Sequence, residues 1–64
     1  MKNLSAFDFY LDALLGAPYP AGILYLARHI RNDIILSSLE RSNLLSLANH
    51  LYGSLCGRDL YFDL

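Results

Sequence analysis

The chain has 64 residues, enough for one domain at most, and folding alone at this size removes only roughly 60% of the surface of the unfolded chain. Hydrophobic residues make up 55% of it and 15 positions are leucine, while five Lys and Arg stand against six Asp and Glu for a formal charge of −1. That balance excludes a global basic field for a nucleic-acid backbone, and the apolar excess asks for a second surface to cover it.

Val and Thr are absent, four Ile are the only β-branched residues, and Leu and Ala fill 21 positions. This side-chain set loses little entropy in a helix, so the composition points to an all-α fold. Cys56 stands alone and no secretory leader opens the chain, which fits a reducing cytoplasm. The charge-free stretches 13–27 and 42–57 fall short of the about 20 apolar residues of a membrane span, and the first holds two prolines. No membrane partner is expected.

Ser5 is placed as the N-cap of helix 1, about 6–15, with Asp8 three residues on, and Gly16 as its left-handed stop ahead of Pro18. At about 100° per residue, Asp8 and Asp12 share one narrow wedge and apolar side chains fill nearly all the rest, so this helix needs cover on several sides. Helix 2, about 20–37, starts with Pro20 in its first turn and carries Ile23, Leu26, Ala27, Ile30 and Ile34 as a core stripe. Two capping patterns then compete, Ser37 with Glu40 or a fresh start at Ser42, and they mark a turn or a kink. Helix 3, about 39–56, aligns Leu44, Leu47, Ala48, Leu51 and Leu55, widened by Leu45, Tyr52 and Cys56, and Gly57 stops it. Gly53 within it is either tolerated or allows a close backbone approach. The apolar tail 58–64 either docks or awaits a partner, and the whole chain reads as a single helical domain over 1–64.

These elements predict three helices per subunit in an intertwined helical homodimer. Its interface is expected along Leu44, Leu47, Leu51 and Leu55, with Phe7, Leu11 and Leu14 of helix 1 packed across it.

Chemistry-bearing residues are sparse. His29, His50, Cys56 and the aspartates lack any local metal-ligand spacing, so neither a metal nor a cofactor is expected. His50 and Cys56 lie about 120° apart on a helix and do not form a nucleophile–base pair, and Asp8 with Asp12 has no cleft to work in. The chain is therefore read as no enzyme. Arg28, His29 and Arg31 form the one basic cluster, with apolar neighbours Leu24 and Ile35, a mixture that suits protein docking better than DNA reading. Local DNA binding through Arg28 and Arg31 stays as the alternative. Tyr61 and Phe62 are either anchors for another protein or seals for the dimer core.

The stretches Phe7-Asp8-Phe9-Tyr10, Pro20-Ala21-Gly22, Leu26-Ala27-Arg28-His29-Ile30-Arg31 and Leu44-Leu45-Ser46-Leu47-Ala48-Asn49-His50 together resemble the small early proteins of lambdoid bacteriophages encoded in the exo–xis region. The resemblance covers the full chain and carries no chemical motif. It implies a non-enzymatic accessory protein of the host cytoplasm that engages a host or phage regulatory component and biases the choice between lysis and lysogeny.

Overall fold

The computed structural model describes residues 5–64, which form four helices: α1 Ala6–Gly16, α2 Pro20–Asn32, α3 Ser38–Cys56 and α4 Leu60–Asp63. The Ser5 hydroxyl oxygen accepts the Asp8 amide at 3.2 Å and donates to the Asp8 carboxylate at 3.0 Å, which fixes the start of α1. Its end differs from the expected left-handed glycine. Gly16 is the last helical residue, and Ala17 is extended (φ −75°, ψ 119°) because Pro18 disfavours helical geometry in the residue before it. The same rule extends Tyr19 ahead of Pro20, which then opens α2 where its missing amide is harmless.

α2 ends at Asn32, short of the expected 37. The Asn32 side-chain amide donates to the Arg28 carbonyl at 3.0 Å, and the linker 33–37 takes its own path. Asp33 organises that path: one carboxylate oxygen accepts the Ile35 amide at 2.9 Å, the other the Tyr10 hydroxyl of α1 at 2.7 Å. From α3, the Arg41 guanidinium donates to the carbonyls of Asp33 at 2.7 Å and Leu36 at 3.2 Å. Leu36 turns inward while Ile34, expected on the core stripe, is 93% exposed.

Of the two competing caps of α3, Ser37 with Glu40 forms. The Ser37 hydroxyl accepts the Glu40 amide and the Glu40 carboxylate accepts the Ser37 amide, which satisfies two free donors at once. Gly57 ends α3 in the left-handed conformation (φ 70°), its amide donating to the Gly53 carbonyl at 2.8 Å. A Cβ at Gly53 would meet the Arg58 carbonyl at 3.7 Å, an ordinary contact, so the returning chain does not require glycine there.

Leu14 of α1, Ile23, Ala27 and Ile30 of α2, Leu36 of the linker, Leu44, Ala48 and Tyr52 of α3, and Leu60 of α4 make one core. Burying a Leu or Ile side chain contributes about 1.5–3 kcal/mol, and in this chain the elements that supply them belong to one another. This corrects the expectation of three helices per subunit in an intertwined homodimer. Among the described residues there are four helices, and α1 packs on α2 and α3 of its own chain, so the core closes without exchange. The α3 seam shifts accordingly, from Leu44, Leu47, Leu51 and Leu55 to Leu44, Ala48 and Tyr52 at successive turns. No helix among the described residues is long and apolar enough to cross a membrane.

Candidate protein-docking surface

The proline-broken connection between α1 and α2 sets the two helices side by side, and their outer flanks meet in a groove. Phe9 and Tyr10 come from α1, and Tyr25, Leu26 and His29 from α2, around an open volume of about 260 Å³. The rings are paired edge to face: Phe9 on Tyr10 with centroids 5.7 Å apart, and Tyr25 on His29 at 4.5 Å. Phe9 and Tyr25 remain 59% and 63% exposed.

Tyr10 and His29 also line the next cleft, about 310 Å³, together with Arg28, Asn32 and Asp33. Asp33 is held below the usual carboxylate range, first by the Tyr10 hydroxyl and then by the Ile35 amide, with Arg41 and His29 adding attraction. Tyr10 is raised in turn, chiefly because its hydroxyl donates a hydrogen bond to the Asp33 carboxylate, with burial second. Aromatic slot and basic edge thus share Tyr10 and His29, and the exposed Ile34 and Ile35 follow Asp33 in the chain.

The structure distributes the expected interface residues between inside and outside. Leu14 and Leu44 are each 1% exposed and serve the chain's own core, which corrects their placement at an interface. Phe7, Leu11, Leu47 and Leu51 are half-buried against that core, and Leu55 is exposed. Arg28 and Arg31 both face solvent, and the Arg28 guanidinium reaches the Asp63 carbonyl at 3.5 Å. The tail docks through Leu60 while Tyr61 and Phe62 stay outside. No family model, curated protein or solved structure matches the chain.

Two polar groups hold the docked tail. Asn49 accepts the Leu60 amide at 3.0 Å, and Asp63 takes both the Tyr52 hydroxyl and a bidentate Arg58 at 2.7 Å. The Arg58 guanidinium, then the Tyr52 hydroxyl, hold Asp63 far below the usual carboxylate range. Arg58 is raised for the same reason, and Tyr52 is raised first because it donates to Asp63.

A further cleft between α3 and the tail gathers Asn49, His50, Gly53, Ser54, Gly57, Arg58 and Asp59. His50 and Ser54 share a helical face at i and i+4, a spacing the sequence offered and the Cys56-centred reading passed over. No hydrogen bond joins His50 to Ser54 or to Asp59 among the described residues, and Asp59 Oδ1 accepts the Tyr61 amide at 2.9 Å, so the three are not assembled as a relay. The Cys56 thiol, for its part, donates to the Tyr52 carbonyl at 3.3 Å. Sequence reasoning misses Phe9 and Tyr10, which it takes only among the apolar residues of helix 1, and Tyr25, to which it gives no role.

Proposed function

We propose that this chain is a non-enzymatic regulatory protein that acts by docking another protein on its α1/α2 side. The observation that carries the reading is the exposure of Phe9 and Tyr25 around a cleft that adjoins Arg28, with Ile34 and Ile35 exposed in the linker that follows α2. Large apolar side chains are exposed next to an arginine on a backbone fixed by Asp33, Tyr10 and Arg41. Exposed aromatics flanked by arginine are the composition of interface anchors, and a pre-set backbone lowers the ordering cost of binding.

The resemblance to lambdoid early proteins supplies the setting, a phage accessory protein in the host cytoplasm whose partner is a host or phage regulator of the lysis–lysogeny choice. Affinity capture from infected cells, read by mass spectrometry, tests it with the native chain beside Tyr25→Ala and Ile35→Ser. The reading expects a protein retained by the native chain and lost with either variant. Capture of the same proteins by all three, or of none, overturns it. Local DNA binding through the exposed Arg28 and Arg31 is the second reading, and it expects a duplex shift that weakens steeply with salt.

A further inference from the structure

The tail meets the rest of the chain through one face of a single helical turn. Leu60 is 0% exposed, Asp63 and Leu64 are half-buried, and Tyr61 and Phe62 stay outside. Positions i, i+3 and i+4 share one side of a helix, so the inward set is leucine, acid, leucine. Each member has a counterpart in the body of the molecule. Leu60 and Leu64 pack on the core cluster that holds Ala48 and Tyr52, and Asn49 accepts the Leu60 amide at 3.0 Å. The Tyr52 hydroxyl donates to the Asp63 carboxylate, and the Arg28 guanidinium reaches the Asp63 carbonyl at 3.5 Å.

The Arg58–Asp63 ion pair is different in kind. Both partners belong to the tail, so the pair keeps the turn in shape without fastening it to α3. Gly57, in the left-handed conformation, is the pivot between α3 and the tail. The tail is thus a shaped turn on a glycine pivot, and Leu60 is its one fully buried side chain. A segment held by so little buried surface opens at a lower free energy than the core beneath it.

We infer that the tail is an intrasteric latch: its seat on α2 and α3 is a docking site for a helical turn of another protein, and the chain's own turn masks it. The turn now seated defines the occupant, a leucine, an acid and a second leucine at the spacing of Leu60, Asp63 and Leu64. The seat offers a hole for the first leucine, a side-chain acceptor for its amide, a hydroxyl donor for the acid and a half-open edge for the second leucine. A turn without the acid would leave the Tyr52 hydroxyl covered and unpaired, which disfavours it. Short amphipathic turns read through i, i+3 and i+4 anchors are a general mode of protein recognition. Masking follows from covalent attachment, because an outside turn binds only the fraction of molecules whose latch is open. Apart from Arg28 the seat shares no residue with the α1/α2 surface, and the two can fail separately.

The test uses a peptide of residues 58–64, the turn known to fit, titrated against the full native chain and against full chains unlatched by Leu60→Ser or, more mildly, Asp63→Asn. Amide chemical shifts report the site and the affinity, and circular dichroism checks that α1 to α3 stay folded. The peptide is expected to shift Ala48, Asn49 and Tyr52 in the unlatched chains and to bind them at least about tenfold more tightly than the native chain. Peptides carrying Leu60→Ser or Asp63→Asn should bind more weakly. In the native chain, the Leu60 and Leu64 amides should exchange before those of α3. Equal affinity for native and unlatched chains, shifts elsewhere or none, or indifference to the peptide's acid overturns the inference. So does exchange of α3 and α4 amides together, or loss of the α1 to α3 fold in both variants, since the tail is then part of the core. A native chain whose tail shifts depend on its own concentration, without peptide, assigns the seat to a second copy and overturns the outside partner.

Discussion

The linker between α2 and α3 and the tail after α3 are built alike and held differently. Each carries near its start an aspartate that accepts the amide two residues on, Asp33 from Ile35 and Asp59 from Tyr61. Each buries one leucine, Leu36 or Leu60, and leaves a pair of large apolar side chains outside, Ile34 with Ile35 or Tyr61 with Phe62. In the linker, Asp33 makes both the local turn and the long-range bond to Tyr10. In the tail those duties are divided, with Asp59 shaping the turn and Asp63 making the tertiary clamp. A short segment thus follows its polar anchors, and the anchors decide which apolar side chains go inside.

The largest test removes the buried leucines. Leu60→Ala and Leu36→Ala are each expected to cost about 2–5 kcal/mol, the range for deleting a buried leucine, measured as a fall in the urea midpoint. The two differ in kind. Leu36 is tied into the chain on both sides, so its loss should appear as global destabilisation. Leu60 closes a terminal turn, so hydrogen exchange should show α4 opening before α3. Simultaneous opening of α3 and α4 in Leu60→Ala would mean that the tail and the core are a single cooperative unit.

Local grammar made much of this fold legible. Ser5 with Asp8, Pro20 at the first turn of α2, Ser37 with Glu40 and Gly57 each act through neighbours in sequence, and each signal is visible without knowing the fold. What stayed hidden depends on distant groups. The end of α2 is only partly local: Asp33 turns the chain on the Ile35 amide, but the bond that fixes the linker comes from Tyr10 and the brace from Arg41. Which α3 leucines the chain's own core covers was hidden for a related reason. Leu44 and Leu55 are the same side chain on nearly the same stripe, and only the arrival of α1, α2 and α4 decides that Leu44 and Tyr52 are covered while Leu55 is not. The candidate surface was half legible: Arg28 stood out by charge, whereas Phe9 read as helix cover and Tyr25 carried no signal of its own.

A smaller effect separates the two aspartate clamps in acid. Both Asp33 and Asp63 are held below the roughly 3.9 of an unfolded aspartate, so each contributes stability that is present above that pH and lost as pH falls through its folded value. Asp63 faces a guanidinium as well as a hydroxyl, so its clamp should persist well below pH 4. Carboxyl chemical shifts followed through an acid titration check this. Asp63→Asn should remove the acid-dependent loss of α4 protection without affecting the linker, and Asp33→Asn should do the reverse. Loss of both segments at one common pH would show that the clamps act together.

The smallest expected change concerns the side chains both segments leave outside. Ile34→Ser and Phe62→Ser replace residues 93% and 85% exposed, so each should shift stability by less than about 0.5 kcal/mol. The contrast with Leu36→Ala, two positions from Ile34, is the sharper half of the comparison. Adjacent aliphatic residues in one clamped turn should differ severalfold in their effect on folding. If Ile34→Ser instead lowers the urea midpoint as far as Leu36→Ala does, Ile34 contributes to the fold and is not free for a partner. If stability holds while capture of a partner is lost, the turn has been separated into a leucine that folds the chain and isoleucines that bind.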